Sequence, residues 1–178
     1  ESDDDLGTCY QSADPTSREN FAIVDSDGGV IKIQNIAQII DLKASGDAMF
    51  VFATNGVWAI TGTDNGAFKA TDYSVSKISS YPAISRSSVV DVGGIPIWWN
   101  YEGIFMLQQQ DAGFTKNITN VTQSTIQTAY DSIPPTSKFT AKGVYNDQSG
   151  LIYWLYNADI DNDDPTAFTN VLVLDVVT

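Results

Sequence analysis

An acid-rich segment near the end of the sequence carries the pattern most suited to chemistry. Asp159, Asp161 and Asp163 occupy alternate positions, and carboxylates spaced in this way supply hard oxygen ligands that can wrap one calcium ion. The pattern departs from a calcium loop in two places. Asp164 stands where the sharp turn needs glycine, and Asn170 stands where a bidentate glutamate is expected. The sequence therefore favours a solvated acidic loop between two strands over a calcium site.

Two other features that could suggest a metal have simpler explanations. Residues 25–29, DSDGG, combine aspartate and glycine in the way that tight turns do, without any ion. Cys9 is the only cysteine, which excludes an intramolecular disulfide and a cysteine-based zinc site. We therefore predict no metal-ligating residue, no cofactor-binding residue and no cofactor.

Two aromatic clusters could stack against sugar rings if they were exposed. Their members are Trp98, Trp99 and Tyr101 in the first, and Tyr153, Trp154 and Tyr156 in the second. Adjacent side chains of a strand point to opposite faces, so one ring of each adjacent pair must lie in a core or between sheets. Packing is therefore the expected role of these rings.

The sequence contains no histidine. This excludes Ser-His-Asp and Cys-His triads and imidazole metal sites, and it removes the commonest general base at neutral pH. The hypothesis of a glycosidase with a catalytic pair of carboxylates is not excluded, because 22 acidic residues are available. No spacing selects such a pair, so we assign no catalytic residue and expect a protein that is not an enzyme.

The net charge is −13, from 22 acidic and 9 basic residues. Such a surface repels nucleic acid phosphates and anionic membranes, which excludes an ordinary DNA-binding module. It is compatible with the wall of a conduit along which DNA slides without sticking. No run of about 18 apolar residues is present, so the sequence predicts no membrane span.

The elements that must position these residues are predicted from hairpins that recur along the chain. Gly56, Gly103 and Gly150 are 47 residues apart, and each follows a short polar turn and precedes a bulky apolar strand. Asn55-Gly56 is typical of a type I′ hairpin turn, in which both central residues need positive φ. A period of about 47 residues matches the size of a β-propeller blade.

We therefore predict a mostly β fold built of propeller-like blades. Residues 1–20 are polar and acidic and are predicted to form an arm or loop. Residues 21–178 are predicted to form the repeats, with boundaries near 30–80, 81–135 and 136–178. A propeller typically needs four to eight blades, and the sequence does not begin with Met. We therefore expect the chain to be a fragment of a larger protein.

One segment, residues 121–133, departs from the β pattern. Its apolar residues fall at i, i+3, i+4 and i+7: Ile126, Ala129, Tyr130 and Ile133. Asn120 is a candidate N-cap with Gln123 three residues on, and Pro134-Pro135 is expected to end the helix. The sequence predicts one amphipathic helix of about three turns, packed against the outside of the sheet.

Four parts of the sequence resemble structural proteins of short-tailed phages. They are DPTSRENFAIVDSDGGVIKI; FVFATNGVWAITG with FKATDYSVSKISS; SVVDVGGIPIWWNYEGIFML; and TQSTIQTAYDSIPPTSK with AKGVYNDQSGLIYWLYN. Together they cover about 100 of the 178 residues. Their types and order resemble the tail tubular B, or nozzle, proteins of podoviruses, whose members are several times longer than this chain.

The resemblance implies a structural virion protein of the phage tail that contains a β-propeller. It implies a homo-oligomeric ring that contacts neighbouring tail proteins, and a channel that the genome DNA passes without specific binding. No catalytic residue and no cofactor would carry over from the family. A position in another ring of the tail, or in an adaptor that carries a fibre, is an alternative that the sequence leaves open. A second hypothesis, a carbohydrate-binding or glycosidase-like propeller module that acts on a host surface, is supported by the aromatic content and the Asp-rich loops.

Overall fold

The structure, a computed structural model, describes residues 31–45, 48–63, 72–110, 113–158, 164 and 167–176. The prediction of a mostly β fold is confirmed, because these residues form three antiparallel sheets with few helices. The predicted arm at residues 1–20 and the turn at residues 25–29 lie outside the described part of the chain.

Each sheet is a meander whose strands pair in chain order. The first sheet contains β1 (Ile39–Ser45), β2 (Ala48–Ala53), β3 (Gly56–Thr61) and β4 (Ser74–Ser79). The second contains β5 (Val89–Val92), β6 (Ile95–Asn100), β7 (Gly103–Gln110) and β8 (Gly113–Asn120). The third contains β9 (Lys142–Asn146), β10 (Leu151–Tyr156) and β11 (Asn170–Asp175). Each sheet is therefore built from one continuous segment of the chain, and in the described ranges no strand of one segment joins the sheet of another.

The three sheets pack face to face in chain order. One core lies between the first and second sheets, where Phe52 meets Trp98 edge-on at 5.4 Å between ring centroids. A second core lies between the second and third sheets, where Trp99 and Trp154 are 5.8 Å apart. The second sheet is therefore buried on both faces, which explains its nearly continuous apolar strands.

Gly143 allows the third sheet to approach the edge of the second. A Cβ atom at this position would lie 2.5 Å from Nε1 of Trp154 and would also overlap the side chain of Val90 on β5. Real side chains essentially never approach so closely, so only glycine fits between these two residues. At this junction the Trp154 indole N–H donates a hydrogen bond to the carbonyl of Ser88 at 3.4 Å.

The hairpin between β2 and β3 differs in detail from its predicted type I′ turn. Ala53 pairs with Gly56, so Thr54 and Asn55 form the two-residue loop and the glycine begins β3. Asn35 is the one non-glycine residue with positive φ in the described ranges, so Asn55 does not adopt the type I′ conformation. Its side chain instead accepts from the backbone N–H of residue 37 at 3.0 Å and donates to the carbonyl of Asn35 at 2.8 Å.

The helical segment also differs from its prediction, because two short helices replace one. Residues 121–126 form turns, and α1 spans only Gln127–Asp131. Pro135 does not end a helix but begins a second one, α2 (Pro135–Thr140), since proline is favoured at the first helical position. No helix in the described ranges is long and apolar enough to cross a membrane.

The helices also lie elsewhere than predicted. Tyr130 and Ile133 are buried in the core between the second and third sheets, not on the outside of a sheet. The predicted N-cap, Asn120, caps a turn: its Oδ1 accepts from the backbone N–H of Thr122 at 3.0 Å, whereas α1 has no side-chain cap. A short asparagine side chain satisfies this nearer N–H before the helix begins.

Candidate functional site

The alternating aspartates that were considered as calcium ligands fall in a part of the chain that the structure does not describe. Asp159, Asp161 and Asp163 lie outside the described residues, as does Cys9. Asn170 begins β11 and pairs with Tyr156 of β10. In the ranges that the structure describes, no group of three acidic, cysteine or histidine side chains could hold a metal ion.

The aromatic residues considered for sugar stacking mostly pack inside the protein. Trp98, Trp99 and Trp154 are fully buried, so none of them can present a ring face to a ligand. Trp98 faces the first sheet and Trp99 the third, as the alternation along a strand predicts. Tyr101 is half-exposed at the tip of the β6–β7 hairpin. The predicted packing role is therefore confirmed for the three tryptophans.

A buried tyrosine joins the first helix to this hairpin. The Tyr130 hydroxyl donates to the carbonyl of Asn100 at 2.6 Å, and its ring meets Trp99 edge-on at 5.1 Å. Burial raises the pKa of Tyr130 far above its usual value, and the negative charge of Asp131 raises it further. This tyrosine therefore stays protonated and acts as a fixed hydrogen-bond donor.

Lys138 of α2 is buried against the same hairpin. Its Nζ donates to the carbonyl of Tyr101 at 3.0 Å and lies 4.3 Å from the centroid of the Tyr130 ring. Burial lowers the pKa of Lys138, while the nearby carboxylate of Asp131 acts in the opposite direction. Neither Lys138 nor Tyr130 lines either of the clefts described below. The pair thus holds the two helices on the β6–β7 hairpin.

A cleft of about 330 Å³ opens beside an exposed aromatic ring. The Tyr81 ring stacks on Phe105 with 4.4 Å between centroids and 16° between planes, and it remains 43% exposed. The polar residues that line the cleft are Glu102, Asn120, Gln123 and Gln127. A flat ring beside planar amides and one carboxylate is suited to a small polyhydroxylated ligand.

The wall of this cleft is held by a compact network of hydrogen bonds. The Thr122 hydroxyl lies 2.7 Å from Asn120 Oδ1 and 2.9 Å from Gln127 Oε1. Gln127 Nε2 donates to the Glu102 carbonyl at 2.9 Å and to Asp131 Oδ1 at 2.8 Å. The network also requires glycine at position 103, because a Cβ atom there would lie 2.6 Å from Thr122 Oγ1. The amides of Asn120 and Gln127 are therefore fixed before any ligand arrives.

Sequence reasoning missed this cleft. Its residues come from the segment after β4, the β6–β7 turn, β7, the end of β8 and the region around the start of α1. They meet through pairing of β7 with β8, through stacking of Tyr81 on Phe105, and through the hydrogen bond from Gln127 to Glu102. Tyr81 stands in an ordinary Tyr-Pro dipeptide with no partner nearby in the sequence. No local signal distinguishes it from a loop tyrosine.

A second, more open groove of about 840 Å³ is lined by three cations. Lys43, Arg86 and Lys142 reach it from β1, the short 3₁₀ helix at Arg86–Ser88 and β9. The buried Asp41 carboxylate lies 3.1 Å from Lys43 Nζ and 3.3 Å from Arg86 Nε. Three of the nine basic residues of a strongly acidic protein thus converge here, beside exposed Phe139. The groove is suited to carboxylates, although Asp41 already offsets part of its charge.

The two ends of the stack of sheets carry exposed apolar surface. At one end, the third-sheet outer face consists of Val144, Leu151, Tyr153, Leu155, Val171 and Val173. At the other, the first-sheet margin consists of Ile39, Leu42 and Met49. Exposed apolar side chains that share one face of a sheet are a candidate interaction surface.

Neither a protein-family model nor a curated protein matches the chain. Function must therefore be inferred from the geometry, charge and residue pattern of the molecule itself.

Proposed function

We propose that the protein is a structural subunit of a phage tail, in a nozzle or tube ring that forms the exit conduit for the genome. The proposal makes it a non-enzymatic part of the virion that acts by self-assembly and by contact with neighbouring tail proteins. Four quoted parts of the sequence support it through their resemblance to podovirus nozzle proteins.

The observation that carries the proposal is the stack of meander sheets with apolar ends. Successive sheets that pack face to face are the arrangement of propeller blades, and the three described sheets are fewer than the four to eight that close a propeller. Gly56 and Gly103 begin the second strand of hairpins that join the two middle strands of the first and second sheets, and Gly150 directly precedes β10 in the hairpin from β9. Sheet faces that are exposed at both ends of the stack favour a protein in which further blades continue the stack.

The charge of the chain suits a conduit for DNA. At −13, its surface offers few cations to phosphates. Affinity for nucleic acid comes mainly from lysine and arginine contacts to phosphate, so an acidic wall gives a passing duplex few places to bind. Acidic residues that face the channel would let the genome slide.

Native mass spectrometry of the protein from tail particles tests this function. We expect identical copies in one closed assembly, with a subunit several times heavier than 19.3 kDa. A monomer of 19.3 kDa would contradict both the ring and the larger parent protein.

A second candidate function, carbohydrate binding, is favoured by one specific observation. Tyr81 presents an exposed ring above a cleft lined by fixed amides, which is the chemistry that a sugar ring requires. Glu102 is the one carboxylate among the residues that line the cleft. Hydrolysis of a glycoside by the usual mechanism needs two carboxyl groups, so the cleft favours binding over cleavage.

A glycan array followed by calorimetry tests the second candidate. Tyr81→Ala should abolish saccharide binding, while Tyr101→Ala, which removes an exposed tyrosine that does not line the cleft, should leave it intact. Absence of binding to any glycan by the unmodified protein would eliminate this candidate.

A further inference from the structure

We infer that the larger of the two clefts binds a small organic dicarboxylate that also carries an apolar part. This cationic groove is the one to which Lys43, Arg86 and Lys142 contribute their side chains. The inference goes beyond the proposed role in a tail ring and does not depend on it, because every residue that lines the groove belongs to one chain.

The cationic groove lies where the edge strands of all three sheets meet. Lys43 belongs to β1, Val89 begins β5 and Lys142 begins β9. In the described ranges each of these strands is the edge strand of its sheet. The groove therefore runs across the edges of the stack, whereas blades that continued the stack would cover its two end faces.

The charge of the groove matches a ligand with two negative charges. None of the described residues that line it is acidic. The buried Asp41 carboxylate, which pairs with Lys43 and Arg86, neutralises one of the three positive charges. Three cations less one carboxylate leave two positive charges, in a protein whose net charge is −13. A dicarboxylate neutralises this local excess, whereas the acidic remainder of the surface repels it.

The cations keep donors that a carboxylate can use. In the described ranges Asp41 engages the Arg86 guanidinium through Nε, and the Arg86 side chain remains 82% exposed. The two terminal nitrogens are then left for a ligand, and their planar fork matches the two oxygens of a carboxylate. Lys142 Nζ lies 5.2 Å from the centroid of the Phe168 ring, a contact with a ring face that involves no carboxylate.

The wall that carries Arg86 is held in place before a ligand binds. The Ser87 hydroxyl donates to the carbonyl of Ala141, directly before β9, at 2.8 Å. The buried Ser88 hydroxyl donates to the carbonyl of Ser85 at 2.7 Å and closes the turn around Arg86. A preformed wall of this kind reduces the ordering cost of binding.

Apolar side chains lie beside the cations and give the ligand its second requirement. Phe139 of α2 and Val144 of β9 line the groove and are 55% and 59% exposed, and the buried Val89 lines it as well. The volume of about 840 Å³ falls within the range of small-molecule sites. A dicarboxylate with an aromatic or aliphatic part therefore suits the groove better than a compact inorganic anion does.

Titration calorimetry with a series of dicarboxylates tests the inference. The series runs from succinate to suberate and includes phenylsuccinate as the member with an aromatic ring, while benzoate and inorganic phosphate serve as comparisons. We expect phenylsuccinate to bind more tightly than succinate, because its ring can pack on Phe139. Benzoate has one carboxylate and phosphate has no apolar part, so both should bind more weakly than phenylsuccinate.

Two matched lysine substitutions separate the groove from the charge of the whole protein. Lys142→Gln removes a cation of the groove, whereas Lys77→Gln removes one from β4, outside the groove. Both lysines are exposed, and the Nζ atom of each lies 5.2 Å from the centroid of an aromatic ring. We expect Lys142→Gln to weaken phenylsuccinate binding about tenfold, the effect of one charge-assisted hydrogen bond, and Lys77→Gln to leave it unchanged.

Phe139→Ala tests the apolar part of the site separately. It should remove the preference for phenylsuccinate over succinate and leave the affinity for succinate unchanged, because the three cations remain. Phe139 is more than half exposed, so the fold should tolerate the change, and circular dichroism checks that each variant is folded.

Several results would overturn the inference. Absence of binding by every dicarboxylate at about 1 mM would do so. Equal losses in Lys142→Gln and Lys77→Gln would show that the acids do not bind in the groove. Phosphate binding as tight as that of phenylsuccinate would show a general anion site, and an unchanged preference in Phe139→Ala would contradict the apolar wall.

Discussion

Trp98 and Trp99 are adjacent in the chain but belong to two different cores. Trp98 packs against the first sheet and donates through Nε1 to the carbonyl of Tyr81 at 3.2 Å. Trp99 packs between the second and third sheets, where its Nε1 is buried without a hydrogen-bond partner among the described residues. One dipeptide thus connects both sheet interfaces, but only one of its two indoles makes a hydrogen bond.

The two tryptophans should respond unequally to the same substitution. Trp98→Phe loses packing and leaves the Tyr81 carbonyl without its donor, so we expect it to lower the free energy of unfolding by about 1–3 kcal/mol. Trp99→Phe removes an N–H that is already unsatisfied, so it should cost less. Urea unfolding measures both values, and an equal or larger loss for Trp99→Phe would contradict this description of the cores.

Gly143 is predicted to be the most sensitive glycine at the junction of the second and third sheets. Gly143→Ala places a methyl group against Trp154 and Val90 and should lower the free energy of unfolding by about 1–3 kcal/mol through overpacking. Val144→Ala, a change of an exposed side chain on the same strand, should have a smaller effect. Similar stabilities of the two variants in urea would show that β9 does not approach β5 as described.

The raised pKa of Tyr130 makes stability depend on alkaline pH. The folded protein keeps this proton above the usual tyrosine pKa of 10.0, so the stabilisation is complete below that pH and is lost as pH rises beyond it. The expected slope is about 1.4 kcal/mol per pH unit for this one proton. The lowered pKa of Lys138 acts in the opposite direction near pH 10.5, and Lys138 is present in both proteins compared below.

Comparison with Tyr130→Phe isolates this contribution. Urea unfolding between about pH 9 and pH 11 should show a smaller loss of stability with pH in Tyr130→Phe than in the unmodified protein. At neutral pH the variant should be less stable by about 1 kcal/mol, because the hydrogen bond to the Asn100 carbonyl is gone. Equal slopes in the two proteins would show that Tyr130 is not buried as a proton donor.

The sequence predicts the strands well because their signals are local. Alternation along residues 95–99 predicts that Trp98 and Trp99 point to opposite faces, and the structure places them there. Polar turns before Gly56 and Gly103 predict hairpins that the structure contains. The arrangement of these hairpins as blades of a propeller stays a prediction, since local pattern does not determine how a stack closes.

The predictions that were wrong concern features that depend on contacts between distant parts of the chain or on competing local interactions. Apolar spacing at residues 126–133 predicted one helix, but the chain turns at Thr122 to satisfy Asn120, and Pro135 suits the start of a new helix. The cleft at Tyr81 was not predictable, because its contacts join residues far apart in sequence. The exposed apolar faces likewise depend on which side of each strand its neighbours cover.

Single-particle electron microscopy of the assembly purified from tail particles tests the central claim most directly. We predict a closed ring of identical copies around an axial channel wide enough for duplex DNA. A monomer, or an assembly without a channel, would contradict a role as a subunit of the genome conduit.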